Sequence, residues 1–395
     1  MLLGMLAVAP RLATAQDQSP VKIGMVLAKQ GVFAEIGRDS ARGAMMAVVE
    51  SGSKVDGRPV QLIWYDDPDP QTAQQNTSKL IDSEKVVAII GGLNSASALA
   101  EASVVKREKI PLVVIAGATA AITGKSCNRY TFRTYPSVAV TSRAIVPGLM
   151  TNGKRWYFLA PNYAAGQEAY AGMRSQFDKL GGTEVGYDKL PLGTNDFSSF
   201  ILKIRETHPD VVAYALTGLD IDNFLKQWAQ YGMKGKVPVG NPFVSESSLW
   251  PLDKDALTGT TAMVWQYSDP KNSLAEKTFT ASYRKKYDVP PSLNAWAGWK
   301  SMHAILDAIG AGKSTDAASI VRQLETIKWQ DHGFPSYYRS WDHQFVHPLL
   351  IVEARAPKTD KWDVVEIRQT LPAAGGDVDA LFGSRAEVGC HMDEL

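Results

Sequence analysis

The stretch 85–126, KVVAIIGGLNSASALAEASVVKREKIPLVVIAGATAAITGKS, constrains the fold more than any other part of the chain. Residues 86–90 and 110–115 are short, β-branched apolar runs bounded by turn or charged residues, the pattern of buried strands. Between them, residues 95–109 carry small and apolar side chains at helical spacing and close on the charged KREK. Two parallel strands joined by a helix form a βαβ unit, whose crossover is almost always right-handed. Both strands run out into loops of small residues, GGLNSAS and AGATAA. Ligands of open α/β sheets sit outside the carboxyl ends of the strands, where such loops converge. Gly91 and Gly92 are expected to let a ligand approach the backbone. Ser95 opens the helix, whose N-terminus offers unpaired N–H groups and a partial positive charge suited to a carboxylate. Ala118 and Thr119 face it from the neighbouring loop, with Asn94 and Gly117 beside them. On this stretch alone, Ser95 reads equally well as a plain helix cap.

The rest of the chain repeats the alternation. Residues 21–28 and 60–65 predict strands, and 38–50 and 71–83 predict helices. The first 125 residues therefore read β-α-β-α-β-α-β, one doubly wound half. Residues 130–135 look like an extended crossing, after which the pattern restarts. Helices are expected at 139–152, 165–180, 197–207 and 220–231, with strands at 155–160, 182–190, 209–216 and 237–239. A second crossing is expected at 265–270. Helices 272–287, 294–310 and 315–326 follow without intervening strands. Segments 345–354 and 362–370 alternate apolar and polar residues around the turn KTDK, which predicts a hairpin. A chain of 395 residues is long enough for two or three domains.

Charge and cysteine content narrow the function. The net charge of +1 comes from 42 basic and 41 acidic residues that are interspersed, so nucleic acid is not expected as a partner. No apolar run reaches the ~18 residues of a membrane helix. Residues 1–15 join a short apolar run to Ala13-Thr14-Ala15, an A-x-A cleavage pattern, although no basic n-region precedes it. They are expected to be a truncated signal peptide, and the protein is expected to be exported to the periplasm. The 2 cysteines, Cys127 and Cys390, lie outside any C-x-x-C, and in an oxidising compartment they can form one disulfide closing a very long loop.

Motifs for chemistry are weak. Gly124-Lys125-Ser126 ends like a phosphate-binding loop, but Thr119 stands where that loop requires glycine. His343 and His347 have the i, i+4 spacing of metal ligands, yet Pro348 follows and the run continues as a strand. Asp66 and Asp67 before prolines read as a turn. The sequence contains no H-E-x-x-H, G-x-S-x-G or G-x-G-x-x-G, so neither catalytic machinery nor a metal or other cofactor is expected. Trp250, Trp265 and Tyr267 fall near predicted cleft or hinge positions, where one or two could cover a ligand.

The segments KIGMVLAKQGVFAEIGRDSARGAMMAV, VVAIIGGLNSASALA, IPLVVIAGATAAITG, PNYAAGQEAYAGM, AWAGWKSMHAILDAIGAGKST and YYRSWDHQFVHPLLIVEAR, in that order and spacing, resemble the periplasmic solute-binding proteins of ABC importers. The resemblance is to the branched-chain amino-acid-binding (Leu/Ile/Val) family, and it covers nearly the whole chain after Gln16. It implies two Rossmann-like α/β lobes joined by three crossovers and closing on a ligand in the cleft. It also implies delivery to a membrane permease, and no chemistry. The expected division is 21–135 plus 270–335 for one lobe and 136–269 plus 336–372 for the other, with 373–395 as a C-terminal tail.

The family's carboxylate-binding serine matches Ser95, and its backbone-and-hydroxyl pair in the next loop matches Ala118 and Thr119. Its aromatic residue before a glycine in the first loop of the second lobe meets Ala165 before Gly166 here, with Tyr163 expected to substitute, and its ligand-covering groups in the chain's first loop fall on Phe33 and Ile36. Where amino-acid binders carry the acid that holds the ligand's ammonium, this chain has Asn241, Pro242 and Phe243, with Glu246 further along. That departure weighs against an α-amino-acid ligand. The expectation is a monomer that captures a small aromatic or branched aliphatic carboxylate. An amino-acid binder and a ligand-sensing module of the same fold are the alternatives.

Overall fold

In the computed structural model, which describes residues 19–358, 360–392 and 395, strand β1 (Val21–Val26) lies between two parallel neighbours. Its side chains Val21, Ile23, Met25 and Val26 are fully buried, as the centre of a sheet covered on both faces requires. The sheet has the order β2-β3-β1-β4-β5-β6. Its other strands are β2 (Lys54–Val55), β3 (Arg58–Tyr65), β4 (Ala88–Gly91), β5 (Leu112–Val114) and β6 (Thr131–Arg133), linked by α1 (Ala34–Glu50), α2 (Pro70–Asp82) and α3 (Ser95–Glu108). Asp69 caps α2 by accepting from Thr72 N–H. Asn94, and not Ser95, caps α3, accepting from the N–H groups of Ala96 and Ser97.

A second alternation follows: α4 (Val138–Leu149), β7 (Arg155–Pro161), α5 (Ala164–Lys179), β8 (Thr183–Leu190), α6 (Ser198–Thr207), β9 (Val211–Tyr214), α7 (Leu219–Gln230), β10 (Val239–Asn241) and β11 (Thr260–Met263). Helices α8 (Leu274–Tyr287), α9 (Leu293–Gly312) and α10 (Ala317–Leu324) come next, then β12 (Lys328–Asp331), β13 (Phe334–Tyr338), β14 (Phe345–Val346), β15 (Leu349–Ala354), β16 (Val365–Leu371) and α11 (Arg385–Val388). The second sheet runs β16-β15-β11-β10-β9-β7-β8, and β12-β13-β14 form a small sheet of their own. The molecule has two α/β lobes, one around each large sheet.

Helix α9 returns the chain to the first lobe. It is buried almost all round, and it packs on α1 at a distance only glycine permits. A Cβ on Gly43 would lie 1.8 Å from the carbonyl oxygen of Ala295, and one on Gly298 would lie 2.0 Å from that of Ser40.

The chain passes between the lobes after β6, after β11 and at His347–Pro348. These passages are tied together by buried polar side chains. Thr134 Oγ1 meets Ser301 Oγ at 2.7 Å and the Tyr338 hydroxyl at 2.8 Å. Gln344 Nε2 donates to the carbonyls of Tyr135 and Phe345.

Several sequence expectations need correction. Residues 131–133 are a full strand paired with β5, and the crossing begins only after Arg133. The expected continuous strand 345–354 is broken at Pro348 into β14 and β15, because proline has no N–H to give to a ladder. Strands β11, β12 and β13 were not foreseen. The tail hairpin forms as β15 and β16, with Thr359 of its turn outside the described residues. The N-terminal segment 1–15 also lies outside them. No helix among the described residues is long and apolar enough to cross a membrane.

Cys127 and Cys390 form a disulfide that spans 263 residues. It anchors the tail beside the first passage, and Arg339 holds the same tail by donating to Asp379 at 2.9 Å and to the Gly383 carbonyl at 2.8 Å. Thiol titration of the unfolded, unreduced protein should therefore find no free thiol. Reduction should lower stability by up to about 5 kcal/mol, the chain-entropy value for so long a loop; two reactive thiols, or an unchanged melting temperature after reduction, would contradict this.

Candidate functional site

The parallel strands of both lobes point their carboxyl ends at each other, and the loops leaving them enclose a cavity of ≈ 590 Å³, its mouth included. The first lobe contributes Phe33 and Ile36 after β1, Asn94 and Ser95 after β4, Ala118 after β5 and Tyr135 after β6. It also supplies Asn294 from the first turn of α9. The second lobe supplies Tyr163 and Ala165 after β7, Thr217 after β9, Ile221 in α7, and Phe243, Ser245 and Ser248 after β10. Leu93 and Ala116 complete the wall, and no lining residue is charged.

The polar end is built on α3. Asn94 uses its carbonyl to cap the helix and gives its amide to Ser97 Oγ. That frees Ser95, the first helical residue, from capping. Ser95 Oγ accepts the backbone N–H of Thr119 at 3.2 Å, and its own hydroxyl hydrogen remains for a further acceptor. A carboxylate placed there meets a hydroxyl donor and the positive end of α3.

The two lobes are fastened at two places beside the cavity. Glu168 of α5 accepts the Thr119 hydroxyl and, at 2.7 Å, the N–H of Ala120. Glu246 accepts the N–H of Leu293 at the start of α9 at 3.2 Å. Both contacts join a carboxylate of the second lobe to the first. Thr119 thus spends its hydroxyl on closure and does not line the cavity.

The remaining sequence-selected residues stand just behind the wall. Asn241 is buried, donates to the Leu216 carbonyl and accepts from Phe243 N–H, so it shapes the loop that presents Phe243. Gly117 lies against Ala98, whose Cβ would be 2.8 Å from a Cβ on the glycine. The expectation that Gly91 and Gly92 admit a ligand is corrected in the same way. A Cβ on Gly91 would lie 2.2 Å from a Glu101 carboxyl oxygen, and Gly92 has φ +68°. Both glycines answer to internal packing, and neither lines the cavity.

Trp250, Trp265 and Tyr267 do not cover it either. Trp265 is buried against Trp296, Trp250 packs edge-on to Trp362, and Tyr267 sits under Arg284. His343 stacks on Phe132 and bonds Glu325, and the described residues hold no group of side chains suited to a metal ion. Sequence reasoning passed over Tyr135, Thr217, Ile221, Ser245, Ser248 and Asn294. Thr217 follows a predicted strand directly and Ile221 and Asn294 stand at predicted helix starts, whereas Tyr135 ends the expected crossing and Ser245 and Ser248 lie deep in the loop after 237–239. Asn294 stands at the first residue of the predicted helix 294–310.

Asp220 and Glu246, the two acids that could hold an ammonium, each already accept a backbone N–H. Asp220 accepts the N–H of Gly193 at 3.0 Å. Glu246 is engaged as described, and burial pushes its carboxyl up to about 8. Burial likewise raises Asp222 to about 7, helped by the charge of Glu35 across the cleft. Burial also raises Glu35, opposed by its hydrogen bond to Ser247. Burial is thus the main cause that raises the carboxyls of Glu35, Asp222 and Glu246 on the cleft faces.

The chain is similar to known proteins along most of its length. The family model of periplasmic binding proteins matches residues 20–360. Leu/Ile/Val-binding protein homolog 6 of Brucella abortus is 27% identical over 336 residues, covering 82% of this chain and 85% of the relative. A periplasmic binding protein from Burkholderia mallei superposes with a TM-score of 0.86 at 24% identity, covering 94% of this chain and 98% of that one. The solute-binding protein of an ABC transporter from Rhodopseudomonas palustris, solved in complex with 3,4-dihydroxybenzoic acid, gives 0.82 at 25% identity, covering 89% and 96%.

The raised Glu246 carboxyl fixes the sign of a pH dependence. A folded-state value of about 8 against an ordinary 4.5 means that its contribution is fully present below about pH 4.5. It is lost as pH rises through about 8. Glu246→Gln, which mimics the protonated acid, should gain stability relative to wild type across that window by a few kcal/mol. Thermal melts of both proteins from pH 4.5 to 9 check this, and parallel curves would contradict it.

Proposed function

Because this chain belongs to the periplasmic binding protein family, we propose that it captures an aromatic carboxylate lacking an ammonium group and presents it to the permease of an ABC importer. The observation that carries this reading is the cavity wall. One end offers the Ser95 hydroxyl and the α3 N-terminus, the walls offer Phe33, Phe243, Tyr135 and Tyr163, and no carboxylate reaches the lining. A carboxylate gains from the first end, a planar ring packs against the aromatic side chains, and an ammonium finds no free counter-charge. The Rhodopseudomonas palustris protein, with its bound dihydroxybenzoic acid, supports the same ligand class. A branched aliphatic acid fits the same description less fully, because it forgoes the ring contacts. The disulfide suits an oxidising compartment such as the periplasm, and the two fastenings beside the cavity suit hinge closure around a ligand.

A branched-chain amino acid is the second reading. The relatives named for leucine, isoleucine and valine binding favour it. So does Glu246 Oε1, which is buried without a partner between Ser245 and Ser248 in sequence. Holding an ammonium there would require the acid to ionise in a site that favours its neutral form.

Calorimetry with benzoate-type acids and with leucine separates the two. Aromatic acids should bind and leucine should not; tight leucine binding without aromatic binding would overturn the assignment. A hydrogen bond to a charged group contributes about 1.5–3 kcal/mol, so Ser95→Ala should weaken the bound acid at least tenfold. An unchanged affinity would remove Ser95 from the site.

A further inference from the structure

We propose that Asn294 reads an oxygen substituent on the ring of the ligand, so that the site selects hydroxylated aromatic acids over unsubstituted ones. This rests on the aromatic-carboxylate reading and adds to it a second polar contact besides the carboxylate. Asn294 lines the cavity, is only 5% exposed, and its side-chain Nδ2 is buried with no hydrogen-bond partner. Buried side-chain amides are ordinarily satisfied, so one left open towards a ligand cavity points to the ligand.

Nothing in the fold needs this side chain. Ser292 caps α9, accepting the N–H of Ala295 at 3.3 Å, and donates its own hydroxyl to Asp39 at 2.8 Å. The neighbouring Leu293 gives its N–H to Glu246. A leucine or alanine at position 294 would keep all three contacts and leave no polar atom orphaned.

Its place relative to Ser95 sets the geometry. Ser95 is tied through Thr119 to the fastening on α5, whereas Asn294 stands beside the other fastening, between α9 and the segment that carries Ser245 and Ser248. Both residues line one cavity, so a ring held by its carboxylate at Ser95 shares that cavity with the Asn294 amide. A ring hydroxyl is donor and acceptor together. It can therefore accept from the amide and pass its own hydrogen to one of the serine hydroxyls that line the same cavity.

The test is calorimetry of the full chain with benzoate, 3-hydroxybenzoate and 4-hydroxybenzoate, on wild type and on Asn294→Leu. Wild type should bind the better hydroxylated acid at least tenfold more tightly than benzoate. Asn294→Leu should close that gap to within about threefold by weakening the hydroxylated acid much more than benzoate. Asn294→Ala is the second variant, should leucine prevent folding, and melting curves establish that each variant is folded. Equal affinity of wild type for benzoate and both hydroxybenzoates overturns the inference while leaving the aromatic-carboxylate reading intact. So does a uniform loss for all three acids in the variants. Failure of wild type to bind any aromatic acid overturns both.

Discussion

The guanidinium of Arg133 joins the hinge to the candidate site. It is buried where the chain leaves the first lobe, and its three nitrogens go to Gln344 Oε1, the Thr119 carbonyl and Thr123 Oγ1. Gln344 is the residue that clasps the passages at Tyr135 and Phe345. Thr119 gives its N–H to Ser95 and its hydroxyl to Glu168. Burial lowers Arg133 only to about 10, so it stays charged and keeps all its donors. One side chain therefore sets the position of the binding loop against the hinge, and a displaced hinge is felt at the cavity without any flexible intermediary.

Rigid support lies on either side of this connection. The reciprocal glycines of α1 and α9 bring two backbones into contact, which fixes where Phe33, Ile36 and Asn294 emerge. The disulfide and Arg339 hold the tail against the passages. The lobes meet at the three passages and, among other contacts, at the carboxyl fastenings of Glu168 and Glu246, which are the kind of contacts that hinge closure makes and breaks.

The electrostatics of the cleft are unusual in their distribution. The cavity itself has no charged lining, while Glu35, Asp39, Asp222 and Glu246 sit around it with raised carboxyls, burial being the main cause in each. Beside that uncharged lining the α3 N-terminus carries a partial positive charge, and its field favours an anion.

The amino-acid sequence by itself determined the doubly wound architecture, because parallel strands buried on both faces must be written as continuous apolar runs separated by helical spacing. It also determined the loops that supply the site. Phe33, Ile36, Asn94, Ser95, Ala118, Tyr163 and Phe243 all follow strands or open helices, and ligands of such sheets gather at strand ends. Only the tertiary structure decided how each side chain is used. Thr119 and Ser95 look alike as hydroxyls in loops, but Glu168, forty-nine residues beyond Thr119 in the chain, claims one and leaves the other. Gly91 and Gly117 look like openings for a ligand until Glu101 and Ala98 are seen to fill them. Asn294 begins an apolar helix, and that position gives no sign of an open amide, since a missing hydrogen-bond partner is a property of three-dimensional surroundings. The expected strand 345–354 broke at Pro348 into β14 and β15, and the pairing of β11 with β15, about ninety residues on, depended on contacts that no local pattern encodes.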